Sequence, residues 1–340
     1  MIIHNEKGKN RMKAWQTILT VAVIATIIVI AGTFAYYNSL PTPNLRISST
    51  TSLWDTGLLT EIKNQYESNH KVDISILPQG TGLALASASA GDADVVLVHA
   101  PSSEYPYLSN GTLVSRKIVA WNYFTIVGPS SDPAQISGKN APEALKSIVA
   151  YANSQTSQST IWISRNDASG TFSKEQSLWK SAGFNRTQLS KEPWYSSTGQ
   201  GMGATLVITD QKNAYTVSDL GTYLQFSKNG AVSSSQVSLV QADYSLLNVY
   251  SVYAVNPQKI SDTSYNEAIN FIKWLVSDTG QQVISNYGAG NYTQTLFSGA
   301  VQPLITGSPQ PDGNWIKQYA YFNGTECPTQ FQDDHPELYP

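Results

Sequence analysis

Hydrophobic and polar positions after residue 44 alternate between two spacings, which predict strands and helices in turn. Apolar residues occupy every second position over 72–76, as in a half-buried strand, and they recur with helical spacing over 57–69. By the same criteria, strands are predicted at 45–49, 72–76, 94–98, 121–127, 161–163, 237–240 and 249–255. Helices are predicted at 57–69, 83–90, 142–153, 172–182, 204–213, 219–226, 265–276 and 279–286. This alternation predicts an α/β fold with crossover connections.

Two apolar strands end in similar breakers, Val127-Gly128-Pro129 and Val255-Asn256-Pro257. We therefore expect the chain to leave a first lobe after one strand and to return through the other, with a hinge between the lobes. Lobe 1 would be discontinuous, comprising 45–128 and 249–300, and lobe 2 would comprise 129–248. A cleft between the lobes would face the loops after the strand ends, where α/β sheets bind ligands.

The N-terminal region predicts a membrane-spanning or signal helix. Residues 18–35 carry no charge, and four basic residues with one acid precede them within the first 13 positions. We predict a cytoplasmic basic segment at 1–17, an apolar helix at 18–36 and a linker at 37–44, with the remainder on the extracytoplasmic side of the membrane. The length favours a retained anchor, and a cleaved signal peptide with a secreted or periplasmic product is the alternative.

Charge and cysteine content exclude several classes of protein. Beyond residue 13 the chain has 17 basic and 23 acidic residues, a net charge of −6, which argues against a nucleic-acid partner. The single cysteine, Cys327, excludes an internal disulfide framework and a cysteine-based metal cluster. Any bound anion must therefore be held by local donors, because the surface as a whole is not basic.

Four loops rich in glycine and hydroxyl residues follow predicted strands or precede predicted helices. They are 48–52, 80–82, 164–171 and 196–206. Glycine lets a ligand approach the backbone closely, and a helix start offers unpaired N–H groups with a partial positive charge. Such loops are suited to binding anions. The third loop also supplies Arg165, whose guanidinium can bind an oxyanion in a bidentate manner.

These loops and the segments beside them resemble the Tup-type tungstate-binding proteins of ABC importers, within the two-lobed type II periplasmic binding proteins. The resemblance covers 45–287, and its most specific part is 197–206. It rests on Thr50-Thr51-Ser52, 55–59, Gly80-Thr81-Gly82, 91–95, 98–101, Ser164-Arg165, Ser169-Gly170-Thr171 and 197–206. Two departures are visible: Ser49 replaces the first of three threonines, and Asn166 and Ala168 leave one fewer carboxylate beside Arg165.

The resemblance implies capture of tungstate, and also of molybdate, between two lobes and delivery to a permease and its ATPase subunit. It implies a monomer that is not an enzyme, without a cofactor and with tungsten bound only as the oxyanion. The implied ligand-binding residues are Ser49, Thr50, Thr51, Ser52, Gly80, Thr81, Arg165, Ser169, Gly170, Thr171, Thr198, Gln200, Gly201, Met202 and Gly203. Residues 301–340 fall outside it and form a C-terminal extension.

Tungstate at neutral pH is a dianion without a proton, so each of its contacts must be a donor. N–H groups, hydroxyls, the Gln200 amide and the Arg165 guanidinium supply donors. A carboxylate in contact with the ligand would repel it, whereas a protonated phosphate would require such an acceptor. The choice between tungstate, molybdate and sulfate depends on cavity size, and binding of another oxyanion such as molybdate, sulfate or phosphate is an alternative function.

Other interpretations compete with the binding site. Gly199-x-Gly201-x-x-Ala204 mimics a dinucleotide fingerprint with Asp219 further on, but 191–195 does not predict the buried strand that this motif needs. The hydroxyls of 50–52 could be helix caps, Arg165 could form a surface salt bridge, and Met202 could pack in the hinge. We expect caps or orienting groups at Asp55 and Asp167, and a structural histidine at His99.

An extracellular hydrolase and an adhesion module are the rival classes. A Gly-x-Ser-x-Gly elbow does not occur in the sequence, and the histidines lack a catalytic motif around them. The acidic residues and histidine of 333–337 could suggest a metal site, but their proline-rich context predicts a solvated tail. The aromatic residues of 315–322 could cover a partner, although packing of the extension onto a lobe is the stronger expectation.

Overall fold

The computed structural model describes residues 3–156, 159–292, 294–308 and 312–339. The chain divides into two compact units, Met1–Pro43 and Asn44–Pro340. The first is a helical segment, and the second contains the sheets and all the predicted loops. Each unit is described by itself.

The first unit contains one helix, α1, from Ile3 to Ser39. Within it, the 23-residue stretch Trp15–Tyr37 contains an 18-residue window with a mean hydropathy of 2.6, and none of that window is buried. Its threonines are compatible with an apolar environment, because Thr20 and Thr26 donate their hydroxyls to the carbonyls one turn earlier, at 2.9 Å. By length and composition this helix can cross a membrane, and a signal sequence would have the same character.

The second unit alternates strands and helices, as the apolar spacing predicts. The strands are β1 (Asn44–Thr50), β2 (Asp73–Gln79), β3 (Val95–Val98), β4 (Leu113–Pro129), β5 (Trp162–Ser164), β6 (Tyr195–Ser197), β7 (Thr216–Asp219), β8 (Gln236–Val240), β9 (Leu247–Val255) and β10 (Ser298–Gly299). The helices are α2 (Thr51–Asp55), α3 (Leu58–Glu67), α4 (Thr81–Ala90), α5 (Pro101–Ser109), α6 (Ala141–Ser154), α7 (Gly170–Ser181), α8 (Arg186–Leu189), α9 (Met202–Lys212), α10 (Leu220–Lys228), α11 (Tyr265–Val276), α12 (Asp278–Asn286), α13 (Val301–Thr306) and α14 (Asp312–Ala320). The predicted α/β fold is confirmed.

The larger sheet has the strand order β10-β4-β9-β3-β1-β2, with β7 and β8 paired to the far part of β4. The pairs β1–β2 and β1–β3 are parallel, whereas β9 runs antiparallel to both β3 and β4. All four residues of β3 are buried, because helices cover both faces of the sheet there. The carboxyl ends of β1 and β2 therefore open toward the same edge, where α2 and α4 begin.

Strand β4 is 17 residues long and takes part in two hydrophobic cores. Up to Tyr123 it pairs with β9, and from Phe124 onward it pairs with β7 and β8. Only its last part was predicted from apolar spacing, at 121–127. Its first part is not predicted, because Arg116 and Lys117 interrupt the apolar pattern. Both side chains are nevertheless buried, and each forms an ion pair.

Separate hydrophobic cores form on the two sides of the crossing, the region where β4 changes its pairing partners. One lies around Leu45, Val95 and Phe271, where α3, α11 and α12 cover the sheet. Another lies around Leu145 and Trp162, where α6 and α7 pack against β4 and β5. The α7 helix begins at a Ser169 cap whose hydroxyl accepts from Phe172 N–H, at 3.0 Å, and α6 begins at Asn140 in the same way.

The C-terminal extension is packed onto the strands that cross between the cores, and within the predicted solvated tail at 333–337 only Asp334, Pro336 and Glu337 are exposed. Leu304, Ile316 and Ala320 are buried against a cluster that includes Trp121 of β4 and Val249 of β9. Further along, Cys327 and Leu338 are buried, and Asp333 accepts a hydrogen bond from the Tyr265 hydroxyl. The expected packing of the aromatic residues 315–322 onto the domain is confirmed.

Glu326 of the extension satisfies the polar groups buried in β4. Its carboxylate lies 2.6 Å from Lys117 Nζ and accepts from the Ile118 N–H at 2.5 Å. Its backbone carbonyl accepts from Arg116 Nη1 at 2.7 Å. Because these groups are almost fully buried, the extension and the sheet depend on each other.

We predict that Glu326→Ala lowers the free energy of unfolding by about 3 kcal/mol, since it leaves the Lys117 ammonium buried without its partner. Chemical denaturation of the chain from residue 44 onward measures this. Glu192→Ala removes an exposed carboxylate and is the matched control, with a change below about 0.5 kcal/mol. Equal stability of the two variants would contradict the packing described above.

Candidate oxyanion site

The first loop connects β1 to α2 and turns only part of its hydroxyls toward the cleft. Ser49 donates to the Leu97 carbonyl at 2.8 Å, so its hydroxyl is used within the sheet. Thr50 caps α2, accepting from Leu53 N–H at 3.4 Å, and its Oγ1 lies 3.1 Å from Ser52 Oγ. The capping interpretation therefore holds for Thr50, while the hydroxyl of Thr51 stands at the half-exposed first position of α2.

The second loop ends at Gly80, which caps α4 without any side chain. The first N–H groups of α4 therefore receive no side-chain acceptor from that residue. The next residue, Thr81, is 1% exposed, and within the described chain its Oγ1 has no hydrogen-bond partner. A buried donor of this kind points to a ligand position in front of α4.

The third loop buries Arg165, so the surface salt-bridge alternative is wrong for this residue. Arg165 is 3% exposed, and its Nη2 lies 2.5 Å from Asp167 Oδ2. Its Nε is buried and lacks a partner among the residues described. Asp167 also accepts from the Ser169 hydroxyl, so this carboxylate orients the guanidinium and the start of α7, as expected for an orienting group.

The third loop leads directly into the start of α7. Gly170 is the first residue of the helix, and a Cβ at this position would lie 2.6 Å from His99 Nε2, so only glycine fits. Thr171 is 1% exposed, and its Oγ1 is unpartnered in the part of the chain that the structure describes. Thr171 thus repeats, on the other side of the crossing, the arrangement of Thr81 at the start of α4.

The fourth loop runs from β6 to α9, which begins at Met202, two residues before the predicted start. Gly201 caps the helix without a side chain, and Gln200 is exposed. The Thr198 Oγ1 lies 2.9 Å from Thr205 Oγ1, which closes the loop onto the helix. Met202 is fully buried in a small core with Val127, so its side chain packs and only its backbone remains available to a ligand.

The range 191–195 does not form a buried strand, as expected, although a short strand that was not predicted begins at Tyr195. Strand β6 is only three residues long, and Ser196 and Ser197 are exposed. It pairs with β5 alone, in a two-stranded sheet. The prediction missed β6 because a strand this short has no apolar repeat. The dinucleotide interpretation still lacks the buried central strand that it needs.

Backbone contacts hold the loops together. The Gly199 N–H donates to the Arg165 carbonyl at 2.8 Å, joining the third and fourth loops. The Gly82 N–H donates to the Ala168 carbonyl at 2.8 Å, joining the second and third loops. These contacts bring the starts of α4, α7 and α9 to one region, although the four loops lie far apart in the sequence.

Asp55, at the end of α2, links the first loop to the same region. Burial raises the pKa of its carboxyl, while the Arg165 guanidinium and a hydrogen bond from the Gly203 N–H act in the opposite direction. Asp55 therefore occupies one N–H at the start of α9 and faces the guanidinium. It was predicted to be a cap or an orienting group, and it contacts α9 rather than capping its own helix.

A buried glutamate positions the strands that lead into the third and fourth loops. Glu175 accepts from Ser164 Oγ at 2.7 Å and Trp162 Nε1 at 3.0 Å on β5, and from the Tyr195 hydroxyl at 2.5 Å on β6. Burial raises the pKa of Glu175, and these donors oppose the rise. The network fixes the two short strands although they make few ladder bonds of their own.

A second buried polar network lies beneath the site, where β4, β7 and β9 meet. The Asp219 carboxylate accepts from Asn122 Nδ2 at 3.0 Å, Asn248 Nδ2 at 2.8 Å and the Tyr250 hydroxyl at 2.9 Å. Sequence reasoning missed these residues. The available signal was the isolated asparagines, Asn122 and Asn248, within otherwise apolar or aromatic strand segments.

His99 joins this network to the site and is structural, as expected. Its Nδ1 lies 2.7 Å from Asn248 Oδ1, and its ring stacks on Tyr250 with centroids 4.8 Å apart. Burial lowers the pKa of His99 to about 4, although the hydrogen bond to Asn248 opposes this. The imidazole is therefore neutral at physiological pH, and it packs beneath Gly170 without adding charge.

The assembled groups are almost entirely donors. At this site three of the buried donors lack partners among the described residues, namely Thr81 Oγ1, Arg165 Nε and Thr171 Oγ1. They lie beside the starts of α4 and α7, whose helix dipoles favour an anion. A compact oxyanion can accept hydrogen bonds on all sides, which is the chemistry that such a donor set can satisfy.

Comparison with known proteins identifies the class. A model of the PBP superfamily domain matches residues 39–279. The chain therefore belongs to the PBP superfamily, whose two-lobed fold with a hinge corresponds to the two cores joined by β4 and β9.

Relatives within this superfamily are tungstate-binding proteins. The tungstate-binding protein TupA of Campylobacter jejuni is 36% identical over 233 residues, covering 68% of this chain and 83% of the relative. The solved structure of TupA from Desulfovibrio alaskensis G20 matches with a TM-score of 0.64 and 33% identity, over 76% of this chain and 98% of that one. The tungstate ABC transporter structure from Geobacter sulfurreducens matches with a TM-score of 0.63 and 39% identity, over 72% and 98%.

We predict that Gly80→Ala separates the second and third loops. The new Cβ would lie 2.9 Å from the Ala168 carbonyl oxygen, so the backbone must shift, and such overpacking costs about 1–3 kcal/mol. Hydrogen exchange at the Gly82 amide should accelerate about tenfold. In Gly201→Ala, where a Cβ meets nothing within 4 Å, the Gly82 amide should exchange as in the unmodified protein. Unchanged exchange in Gly80→Ala would contradict the contact between these loops.

Proposed function

We propose that the protein is an extracytoplasmic solute-binding protein that captures tungstate, and also molybdate, between its two lobes and delivers it to an ABC importer. The relatives named above as tungstate-binding support this proposal. The observation that carries it is the set of buried, unpartnered donors at Thr81, Arg165 and Thr171. It is a binding function, without a catalytic step or a cofactor.

The chemistry of the site favours an anion that carries no proton. A proton-free dianion needs donors only, and each charge-assisted hydrogen bond contributes about 1.5–3 kcal/mol. Four to six such bonds, offset by the costs of desolvation and closure, correspond to about −12 kcal/mol, near nanomolar affinity. The carboxylates of Asp55 and Asp167 are already engaged with the Gly203 N–H and the Arg165 guanidinium, so their negative charges are partly compensated within the protein.

The ligand contacts in this proposal come from both lobes. Gly80, Thr81 and the hydroxyls of 50–52 belong to lobe 1, whereas Arg165, 169–171 and 198–203 belong to lobe 2. The lobe boundaries are the predicted ones, 45–128 with 249–300 and 129–248. Because the anion bridges the lobes, it binds the closed form more tightly than an open one. Of the fifteen predicted ligand residues, Met202 takes part through its backbone, since its side chain is packed. The hydroxyls of Ser49, Thr50 and Ser169 already make hydrogen bonds within the protein.

The proposed partners are a permease and its ATPase subunit on the membrane. The apolar helix within Trp15–Tyr37 anchors the receptor near the permease, with 1–17 on the cytoplasmic side and 37–44 as the linker. Cleavage of that helix as a signal sequence would instead release a soluble receptor. The receptor acts as a monomer, because one chain supplies all the ligand contacts in the proposed site.

An oxyanion series tests the proposed function. Thermal melting of the chain from residue 44 onward, with tungstate, molybdate, sulfate or phosphate added separately, should give a large stabilisation for the first two only. At a concentration about a thousand times the dissociation constant, binding contributes about 4 kcal/mol of stability. Stabilisation by sulfate or phosphate alone would reassign the ligand. Stabilisation by none of the four would overturn the proposed function.

Arg165→Ala should weaken tungstate binding by at least about a hundredfold, since it removes the buried charge and up to two charge-assisted hydrogen bonds. Isothermal titration calorimetry measures the affinity. Lys191→Ala removes the same charge from an exposed position of the same lobe, and it should bind tungstate as the unmodified protein does. Similar affinities in both variants would remove Arg165 from the site.

A further inference from the structure

Lys174 is a buried cation for which the proposed function has no role. It lies in α7 four residues after Gly170, on the same face of the helix, and it is 5% exposed. Its Nζ donates to the Ser245 carbonyl at 2.9 Å and to the Leu247 carbonyl at 2.8 Å. An ammonium is costly to bury, so these two contacts constrain where α7 can lie.

The two carbonyls belong to the segment through which the chain enters β9. A 3₁₀ turn, Tyr244–Leu246, precedes β9, and Leu247 is the first residue of the strand. Since β9 pairs with β3 and β4 at the centre of the sheet, Lys174 ties the helix of the anion loop to a strand that joins the two cores. Any motion of α7 relative to β9 would expose or unpair this ammonium.

Two aromatic rings complete the surroundings of the ammonium. Nζ lies 4.4 Å from the ring centroid of Tyr319 and 5.4 Å from that of Phe124. Phe124 is the residue at which β4 changes its pairing partner. Tyr319 belongs to α14, outside the 39–279 match to the PBP superfamily domain. A second contact holds α14 against the 3₁₀ turn before β9: the ring of Trp315 packs edge-on against that of Tyr244, with ring centroids 5.6 Å apart.

Lys174 and the anion-binding end of α7 also share a cavity of about 200 Å³. Gly170, Lys174, His99 and Tyr319 all line it. The ammonium therefore faces the same small space as Gly170, the first residue of the helix, which lies beside the donor residue Thr171. A positive charge there favours a bound dianion through a medium of low polarity.

We propose that Lys174 is a positioning residue for the oxyanion site, holding the start of α7 against β9 and against Tyr319 of the C-terminal extension. This assignment rests on the proposed function. It gives the extension a role in ligand binding, because one of the rings that holds the ammonium comes from α14. Lys174 does not touch the oxyanion, and it acts through the position of Ser169, Gly170 and Thr171.

The ammonium also makes a test by pH possible. Burial lowers the pKa of Lys174 to about 7, and the Asp243 carboxylate opposes this shift. The other titratable groups facing it stay neutral between about pH 6 and 8.5, because the pKa of His99 is lowered to about 4 and burial raises that of Tyr319 well above its usual value. A bound dianion favours the charged lysine, so affinity should fall as the pH rises through about 7.

If Lys174 has only a structural role, its titration changes the stability of the ligand-free protein, and this change has a different pH dependence from the one expected for tungstate affinity. The pKa of Lys174 is lower in the folded than in the unfolded chain, so folding loses stability from this group as the pH falls toward about 7, and the loss levels off below that pH. Ligand-free stability and tungstate affinity should therefore change in opposite directions over this range. Comparison of variants isolates the contribution of Lys174 from those of other titrating groups.

The experiment measures tungstate affinity by calorimetry and ligand-free melting at about pH 6 and about pH 8.5. We compare the unmodified chain from residue 44 onward with Lys174→Met, which is never charged, and Lys174→Arg, which is charged throughout. Lys174→Met should bind about tenfold more weakly at the lower pH and should lose most of the pH dependence. Lys174→Arg should also lose that dependence. Lys180→Met, at an exposed position of the same helix, should retain it.

Two results would overturn the assignment. One is a folded Lys174→Met variant with the affinity and pH dependence of the unmodified protein. The other is a Lys174→Arg variant with an unchanged pH dependence, and this comparison decides the matter if Lys174→Met does not fold. Failure of the unmodified protein to bind tungstate at either pH would instead overturn the proposed function, so the two failures are distinguishable.

Discussion

Thr81, Arg165 and Thr171 place buried hydrogen-bond donors in one region without partners in the described chain. Folded proteins rarely leave such groups unpaired, because each costs about 1–3 kcal/mol when it is removed from water. The surrounding structure maintains the arrangement. Asp167 orients the guanidinium, and Glu175 fixes the strand that leads to it.

Because these donors must keep their positions relative to one another, the site depends on the strands that cross between the cores. Strand β4 contributes to both cores, and the Asp219 network joins it to β7 and β9 directly beneath His99. A change in the distance between the anion loops must therefore be accommodated at this crossing. The C-terminal extension packs on the outer face of the crossing strands, through Ile316 and through the pairing of Glu326 with Lys117.

Much of the site could be predicted because its chemistry is local in the sequence. A glycine, a hydroxyl residue and a helix start occur together at Gly80-Thr81 and again at Ser169-Gly170-Thr171, so the donor loops are visible without a structure. Apolar spacing likewise gave most strands and helices. The resemblance to tungstate-binding proteins added the specific assignment of Arg165, which spacing alone left open between a ligand contact and a surface salt bridge.

The remaining features depend on contacts between distant residues. Arg116 and Lys117 resemble surface residues in the sequence, but in the fold they are buried and paired with Glu326, which lies more than 200 positions later. Lys174 is one polar position on an amphipathic helix until α14 brings Tyr319 against it. Strand β6 has only three residues, too few for an apolar repeat to be recognised, and its position depends on Glu175.

A crystal structure of the chain from residue 44 onward with tungstate would test the central claim most directly, since anomalous scattering locates tungsten independently of the protein. The account predicts one tungsten position between Thr81, Arg165 and Thr171, with oxygen atoms within hydrogen-bonding distance of the Arg165 Nε and both threonine hydroxyls. Tungsten bound elsewhere on the protein, with these three donors still unpaired, would contradict it.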